Sequence, residues 1–205
     1  MDITKFKYST FLALNKYTKA LTTALGYRDL MTSMHSERVH GLSMEIGMQC
    51  NLDDNQLGAL EIGSAFHDVG KIGIPDSILM KPGKLDKDEW DTMTTHCEMG
   101  QKILLATELE GSKRAGAIIR HHHESFNGNG YPDKLSGEDI PICSRIISIA
   151  DSYDAMAVTR SYHKARSHPE IMKILHEETG QKHDPYLMKI FVKLIENSPL
   201  KTQMA

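Results

Sequence analysis

Three cysteines in 205 residues, Cys50, Cys97 and Cys143, are too few and too scattered to staple a fold or to build a zinc finger. An odd set of thiols without paired spacing fits a reducing compartment, and a cytoplasmic location is expected. Nowhere do about 18 apolar residues run together, so no transmembrane helix is expected. The N-terminus also lacks the continuous apolar segment of a signal peptide. Positive charge is not in excess: a formal net charge of −3 offers no global field to a nucleic-acid polymer or an anionic membrane. No linker-like stretch, compositional shift or repeat divides the chain, so one large domain is expected. With 40% hydrophobic and 25% charged residues, the profile is that of an ordinary globular protein.

What the chain has in quantity is histidine, 11 residues, mostly neutral near pH 7 and therefore available as ligands. The stretch that organises the rest is Ser64-Ala65-Phe66-His67-Asp68-Val69-Gly70-Lys71. Read as helix, His67 and Lys71 are i,i+4 and Asp68 and Lys71 are i,i+3, so the three polar groups face one space. An adjacent His-Asp pair can give one metal a nitrogen and an oxygen, leaving the second oxygen to bridge to a neighbouring metal. Lys71 can offer a positive charge to a phosphate oxygen.

Apolar spacing predicts helices along most of the chain. Phe6, Phe11, Leu14, Tyr17, Leu21 and Leu25 mark a leading helix over 1–30, a candidate surface for pairing two copies. A second helix runs from about Thr32 to Cys50, and His35, one turn before Val39, lies on its inward face. Asp53 with Gln56 reads as a capping box for the helix that enters the His67 stretch. Asp86 with Glu89 reads as another, opening a helix through Trp90, Met93 and His96, with a further helix from near Met99 to Ala106. His122 and His123 continue the stripe of Ile118 and Ile119, while His121 follows Arg120 toward a wetter face. The glycines and prolines of residues 125–141 predict a long loop, a candidate substrate wall. Asp151, one turn after Ile147, points inward, where an unpaired carboxylate is costly. Residues 198–205 are expected to be a flexible tail.

His35, His67, Asp68, His96, His122, His123 and Asp151 are thus seven inward candidates from five helices. Any one of them alone can be dismissed as a core group bonded to backbone, the favoured reading for His35 taken singly; all seven pointing inward call for cations. Nitrogen and oxygen donors without cysteine suit Fe, Mn or Zn, and two metals sharing a carboxylate is the economical arrangement.

The blocks His35-Ser36-Glu37-Arg38-Val39, His67-Asp68-Val69-Gly70-Lys71, His96 with Gly100, His122-His123-Glu124, Gly130-Tyr131-Pro132 and Asp151-Ser152-Tyr153-Asp154-Ala155-Met156 resemble the HD-GYP family of cyclic-di-GMP phosphodiesterases, in order from about Asp29 to Lys164. The resemblance implies an all-α HD-domain helical bundle with a long GYP loop, the catalytic domain occupying 31–197. It implies two divalent metals, Fe or Mn ahead of Zn, Ni or Mg. His35, His67, Asp68 and Asp151 would hold one, and Asp68 would bridge to a second held by His96, His122 and His123. Met31 stands where some relatives carry a third-metal glutamate, so two metals are expected rather than three. Hydroxide drawn from a water between the cations would open cyclic di-GMP to linear pGpG, and possibly on to GMP, with Asp68 and Lys71 as catalytic groups. Tyr131, Arg160 and Lys71 would hold the substrate, and Asp29, Arg38, Glu124 and Asp154 would orient neighbours. Asn127 replaces the family's usual aspartate, and His163 follows Tyr162. Two other readings stay open: a dinucleotide-binding or diguanylate-cyclase-docking module with little turnover, and a phosphodiesterase for another cyclic dinucleotide such as cyclic GMP-AMP.

Overall fold

The computed structural model describes residues 3–158 and 164–202. They form ten α-helices: α1 (Ile3–Arg28), α2 (Leu30–Gln49), α3 (Asp54–Phe66), α4 (Asp76–Leu79), α5 (Lys87–Thr94), α6 (His96–Leu105), α7 (Ser112–Arg120), α8 (Ile142–Ala157), α9 (His168–Glu177) and α10 (Pro185–Ile195). Two 3-10 turns, Val69–Gly73 and Gly137–Asp139, interrupt the connections. The described residues contain no strand, only an isolated bridge between Thr179 and His183. The all-α expectation is met.

Two apolar clusters share the interior. One joins Val39, Leu42 and Ile46 of α2, Leu60 of α3, Ile146, Ile147 and Ile149 of α8, Ile171 and Leu175 of α9, and Leu187, Phe191 and Ile195 of α10. The other joins Leu14 of α1, Ile62 and Phe66 of α3, Val69, Leu104 of α6, and Ala115 and Ile119 of α7. Each fully buried Leu, Ile or Phe stabilises the fold by about 1.5–3 kcal/mol. Helices α3 and α7 contribute to both clusters, so their C-terminal ends arrive at the seam between them. His67-Asp68 and His122-His123 stand at those two ends.

Local chemistry sets the boundaries. Asp29 caps α2 through the Met31 and Thr32 amides, and both expected capping boxes, Asp53/Gln56 and Asp86/Glu89, are formed. Helix α3 stops at Phe66, earlier than expected. Lys71 therefore follows in a 3-10 turn, closed by the Lys71 amide on the Asp68 carbonyl (2.9 Å) and the Ile74 amide on the Lys71 carbonyl (3.1 Å). A 3-10 turn eclipses i and i+3, so Asp68 and Lys71 still meet while the i,i+4 geometry of His67 and Lys71 is lost. The expected break near Met99 lies instead at Thr95, whose hydroxyl donates to the Thr92 carbonyl at 2.6 Å. Two consecutive β-branched threonines favour that break, and it makes His96 the first residue of α6.

Gly70 seats this turn on α6: a Cβ there would collide with the His96 carbonyl and with the Gly100 amide nitrogen. Tyr17, expected on the apolar stripe of α1, is 63% exposed. The segment after 197 is docked as far as Thr202: Leu200 packs on the core, and the Thr202 amide donates to the Tyr153 hydroxyl at 3.0 Å.

Candidate metal centre

Three histidines are aimed by one device. The Nδ1 of His67 lies 2.8 Å from the Ser64 carbonyl, that of His96 2.8 Å from the Met93 carbonyl, and that of His122 2.6 Å from the Ile119 carbonyl. Each partner is three residues earlier, at or near a helix end. A carbonyl only accepts, so each Nδ1 carries the proton and each Nε2 keeps its lone pair. The Nε2 atoms of His67 and His122 are buried with no hydrogen-bond partner. A buried orphan acceptor is costly, and the orientation is the one a histidine ligand adopts. The core-histidine and ligand readings are thus not exclusive: the backbone bond at one nitrogen is what frees the other.

The ligand atoms fall into two groups, within each of which they lie no more than 4.8 Å apart: His35, His67 and Asp151, and His96, His122 and His123 together with Cys97. Asp68 stands between. Its Oδ2 faces His67 Nε2 (3.5 Å), His35 Nε2 (3.9 Å) and Lys71 Nζ (2.7 Å), while its Oδ1 faces His96 Nε2 (3.6 Å). His35 Nε2 meets Asp151 Oδ1 at 2.9 Å, and His123 Nδ1 approaches Asp151 Oδ2 at 4.0 Å. All seven residues are brought together, five nitrogens and two carboxylates suited to hard or borderline divalent cations.

The charges follow from the same packing. Burial holds the His122 pKa down at about 3 and lowers His96 and His123 as well, so the second group is neutral near pH 7. Burial also opposes charge on His35, but hydrogen bonds to Asp151 and Asp154 outweigh it and raise its pKa. Burial disfavours the Asp68 and Asp151 carboxylates too. Lys71 and His67 for the first, and His35 and His123 for the second, nonetheless hold both well below the usual range.

Around this centre, Asp154 accepts from Arg38 at 2.6 and 3.0 Å and meets His35 Nδ1 at 2.7 Å. Glu124 is buried, and its Oε1 accepts the Asp133 amide at 2.7 Å, tying down the loop that carries Tyr131. Gly130 presses on the backbone of Glu124 and Ser125, with no space for a Cβ. The Tyr131 ring lies 5.0 Å from that of His123. Asp29, expected near the ligands, serves the N-terminus of α2. Arg160, Tyr162 and His163 fall outside the described residues.

Two participants escaped the sequence reading. Cys97 was not anticipated beside the ligand cluster: its Sγ lies 3.5 Å from His96 Nε2. Adjacency to His96 was the available signal. Burial pushes this thiol far above its ordinary pKa, which keeps it a neutral thiol. Asp133 is the other. It is gripped by Arg120 at 2.6 and 2.7 Å and by His121 Nε2 at 2.9 Å. Asp133, His121 and Glu124 also cluster as candidate ligands, but the Arg120 guanidinium already balances that charge.

A family profile described as HD domain matches residues 19–187. The chain belongs to the HD domain family. It is 36% identical over 165 residues to the cyclic di-GMP phosphodiesterase response regulator RpfG of Xanthomonas campestris, covering 80% of this chain and 44% of that protein. It is 37% identical to the 3′3′-cGAMP-specific phosphodiesterase 2 of Vibrio cholerae, covering 84% of this chain and 33% of that protein. The chain thus spans less than half the length of these relatives. Among solved structures, the HD chain superposes on a cyclic GMP-AMP phosphodiesterase of V. cholerae (V-cGAP3) with a TM-score of 0.69 at 23% identity, over 91% of this chain and 50% of that one. It superposes on an HDG"Y"P protein of Bdellovibrio bacteriovorus with a TM-score of 0.65 at 19% identity, over 96% and 65%. Both likenesses establish the fold. Among the described residues no helix is long and apolar enough to cross a membrane.

Proposed function

We propose that this HD chain is a metal-dependent phosphodiesterase that opens cyclic di-GMP to linear pGpG. The observation that carries the reading is the pair of orphaned, buried Nε2 atoms of His67 and His122, one from each of the two groups of candidate ligands. His35, His67, Asp68 and Asp151 would hold one divalent cation, and Asp68, His96, His122 and His123 a second, with Fe or Mn ahead of Zn. When bound, the cations supply Lewis acidity toward a phosphoryl oxygen and acidify water.

The chain's own groups do the rest. Lys71 stands at the Asp68 carboxylate, where its ammonium can turn to meet charge growing on a phosphoryl oxygen. Asp154 keeps His35 in one tautomer and orientation. Tyr131 shields the His123 side of the site and offers its ring to the dinucleotide. Arg160 is assigned to a substrate phosphate.

The relative named for 3′3′-cGAMP supports a second reading, in which cyclic GMP-AMP is the preferred substrate. Pairing of two copies through α1, docking of a diguanylate cyclase on the Gly130 loop and a cytoplasmic location belong to the same proposal. Three free cysteines support the last of these. The test is metal content after anaerobic purification, paired with chromatography of products from each dinucleotide in competition. Two equivalents of metal and pGpG support the reading. Dinucleotide bound but intact after hours would replace it with a sensor, and preferential loss of cyclic GMP-AMP would reassign the substrate.

A further inference from the structure

Trp90 is the only tryptophan of the chain, and it is half exposed at 50%. Tryptophans lose most of their surface in folded proteins. This one lies on α5, a helix that buries none of its residues, so it is not there to anchor a core. Its ring meets the Tyr131 ring edge-on, with centroids 6.1 Å apart and planes at 82°. Tyr131 lies 5.0 Å from His123, and His123 lies 5.2 Å from His96. A run of rings therefore leads from the ligand cluster to the surface and ends on an open indole.

The helix that carries Trp90 is fixed at its start. The Asp86/Glu89 capping box closes the start of α5, and Lys81 Nζ pairs with Glu89 Oε2 at 2.5 Å. A large flat ring, half exposed and in edge contact with Tyr131 beside the ligand cluster, suits a π-face of matching size.

We infer that Trp90, backed by Tyr131, is the stacking platform for one of the two purine bases of a cyclic dinucleotide whose phosphate lies at the ligand cluster. The inference rests on the phosphodiesterase reading and extends it: the base is carried outward past Tyr131 and laid on the indole. Stacking tolerates any base with a π-face, so Trp90 provides affinity for purine dinucleotides and leaves the choice between guanine and adenine to other groups.

A single tryptophan makes the test direct. The bis-phosphorothioate analogue of cyclic di-GMP is titrated into the metal-loaded protein while indole emission is followed, and kcat and KM for cyclic di-GMP are measured for wild type, Trp90→Phe and Trp90→Ala. Saturable quenching is expected. KM should rise about ten-fold or more in Trp90→Ala and less in Trp90→Phe, with the loss concentrated in KM rather than kcat. Thermal melts check that both variants fold. An indole signal unmoved by an analogue that inhibits hydrolysis overturns the inference and leaves the phosphodiesterase reading standing. So does a Trp90→Ala variant that loses kcat at unchanged KM, the signature of a structural prop for Tyr131. If neither cyclic dinucleotide is bound or cleaved, the parent reading fails and takes the platform with it.

Discussion

Asp154 and His35 lie on different helices, 119 residues apart in sequence, yet the Asp154 carboxylate meets His35 Nδ1 at 2.7 Å while Arg38 grips both of its oxygens. That contact fixes which nitrogen of His35 faces the ligand cluster. Asp154→Ala is expected to weaken metal affinity by roughly 10–100-fold, as loss of such an orienting partner does elsewhere. Chelator competition on folded protein measures it. Unchanged affinity would show that His35 is aimed by packing alone.

Lys71 touches Asp68 rather than a free volume. Lys71→Met is expected to keep its metals and lose about a hundred-fold in kcat, the order found when one group that stabilises transition-state charge is removed. Metal analysis beside steady-state kinetics separates this from a site that has come apart. A variant that loses metal in step with activity would make Lys71 a brace for Asp68.

Cys97 lies within ligand reach, but its thiol is protonated because burial and the neighbouring Asp68 raise its pKa. Cys97→Ala is therefore expected to bind as much metal as the parent. Loss of one equivalent on elemental analysis would show that the thiol ionises and coordinates.

The metal-free protein should weaken in acid. Folded His122 titrates at about 3, while the unfolded chain takes up that proton near the ordinary histidine value of 6.5. Its contribution is complete above pH 6.5 and is lost as pH falls toward 3; at pH 5 the loss is on the order of 2 kcal/mol. The depressed pKa values of His96 and His123 act in the same sense, those of Asp68 and Asp151 do so only below the ordinary carboxylate value of 3.8, and the raised His35 opposes them. Urea unfolding of chelated protein at pH 7.5 and pH 5 measures the difference. Equal stability at both would show the cluster is not held neutral by burial.

Gly130 has no space for a side chain against Glu124 and Ser125. Gly130→Ala is expected to lower Tm and to displace Tyr131 from His123, raising KM for the dinucleotide. Crystallography or indole emission reports the displacement. Wild-type KM and Tm would mean the loop has slack that its packing does not show.

Much of the candidate set was legible in the sequence because these residues extend apolar stripes. His122 after Ile118, Asp151 after Ile147 and His35 before Val39 all point where a helix points. Capping residues announced α3 and α5 for the same local reason. Features set by contacts distant in sequence were not legible. Asp133 meets Arg120 across a loop, Trp90 meets Tyr131 across 41 positions, and Thr202 reaches Tyr153 from the far end of the fold. The helix break at Thr95 was missed because apolar periodicity carries through it, while hydroxyl bonding to the preceding carbonyl decides it.

The seat of Gly70 on the start of α6 has a mechanical consequence. His67 and Asp68 hang from one side of that joint and His96 from the other, with main chain against main chain and nothing compressible between them. The spacing of the His67-Asp68 backbone from that of His96 is therefore set by direct main-chain contact. Any side chain added at Gly70 would move His67 and Asp68 relative to His96.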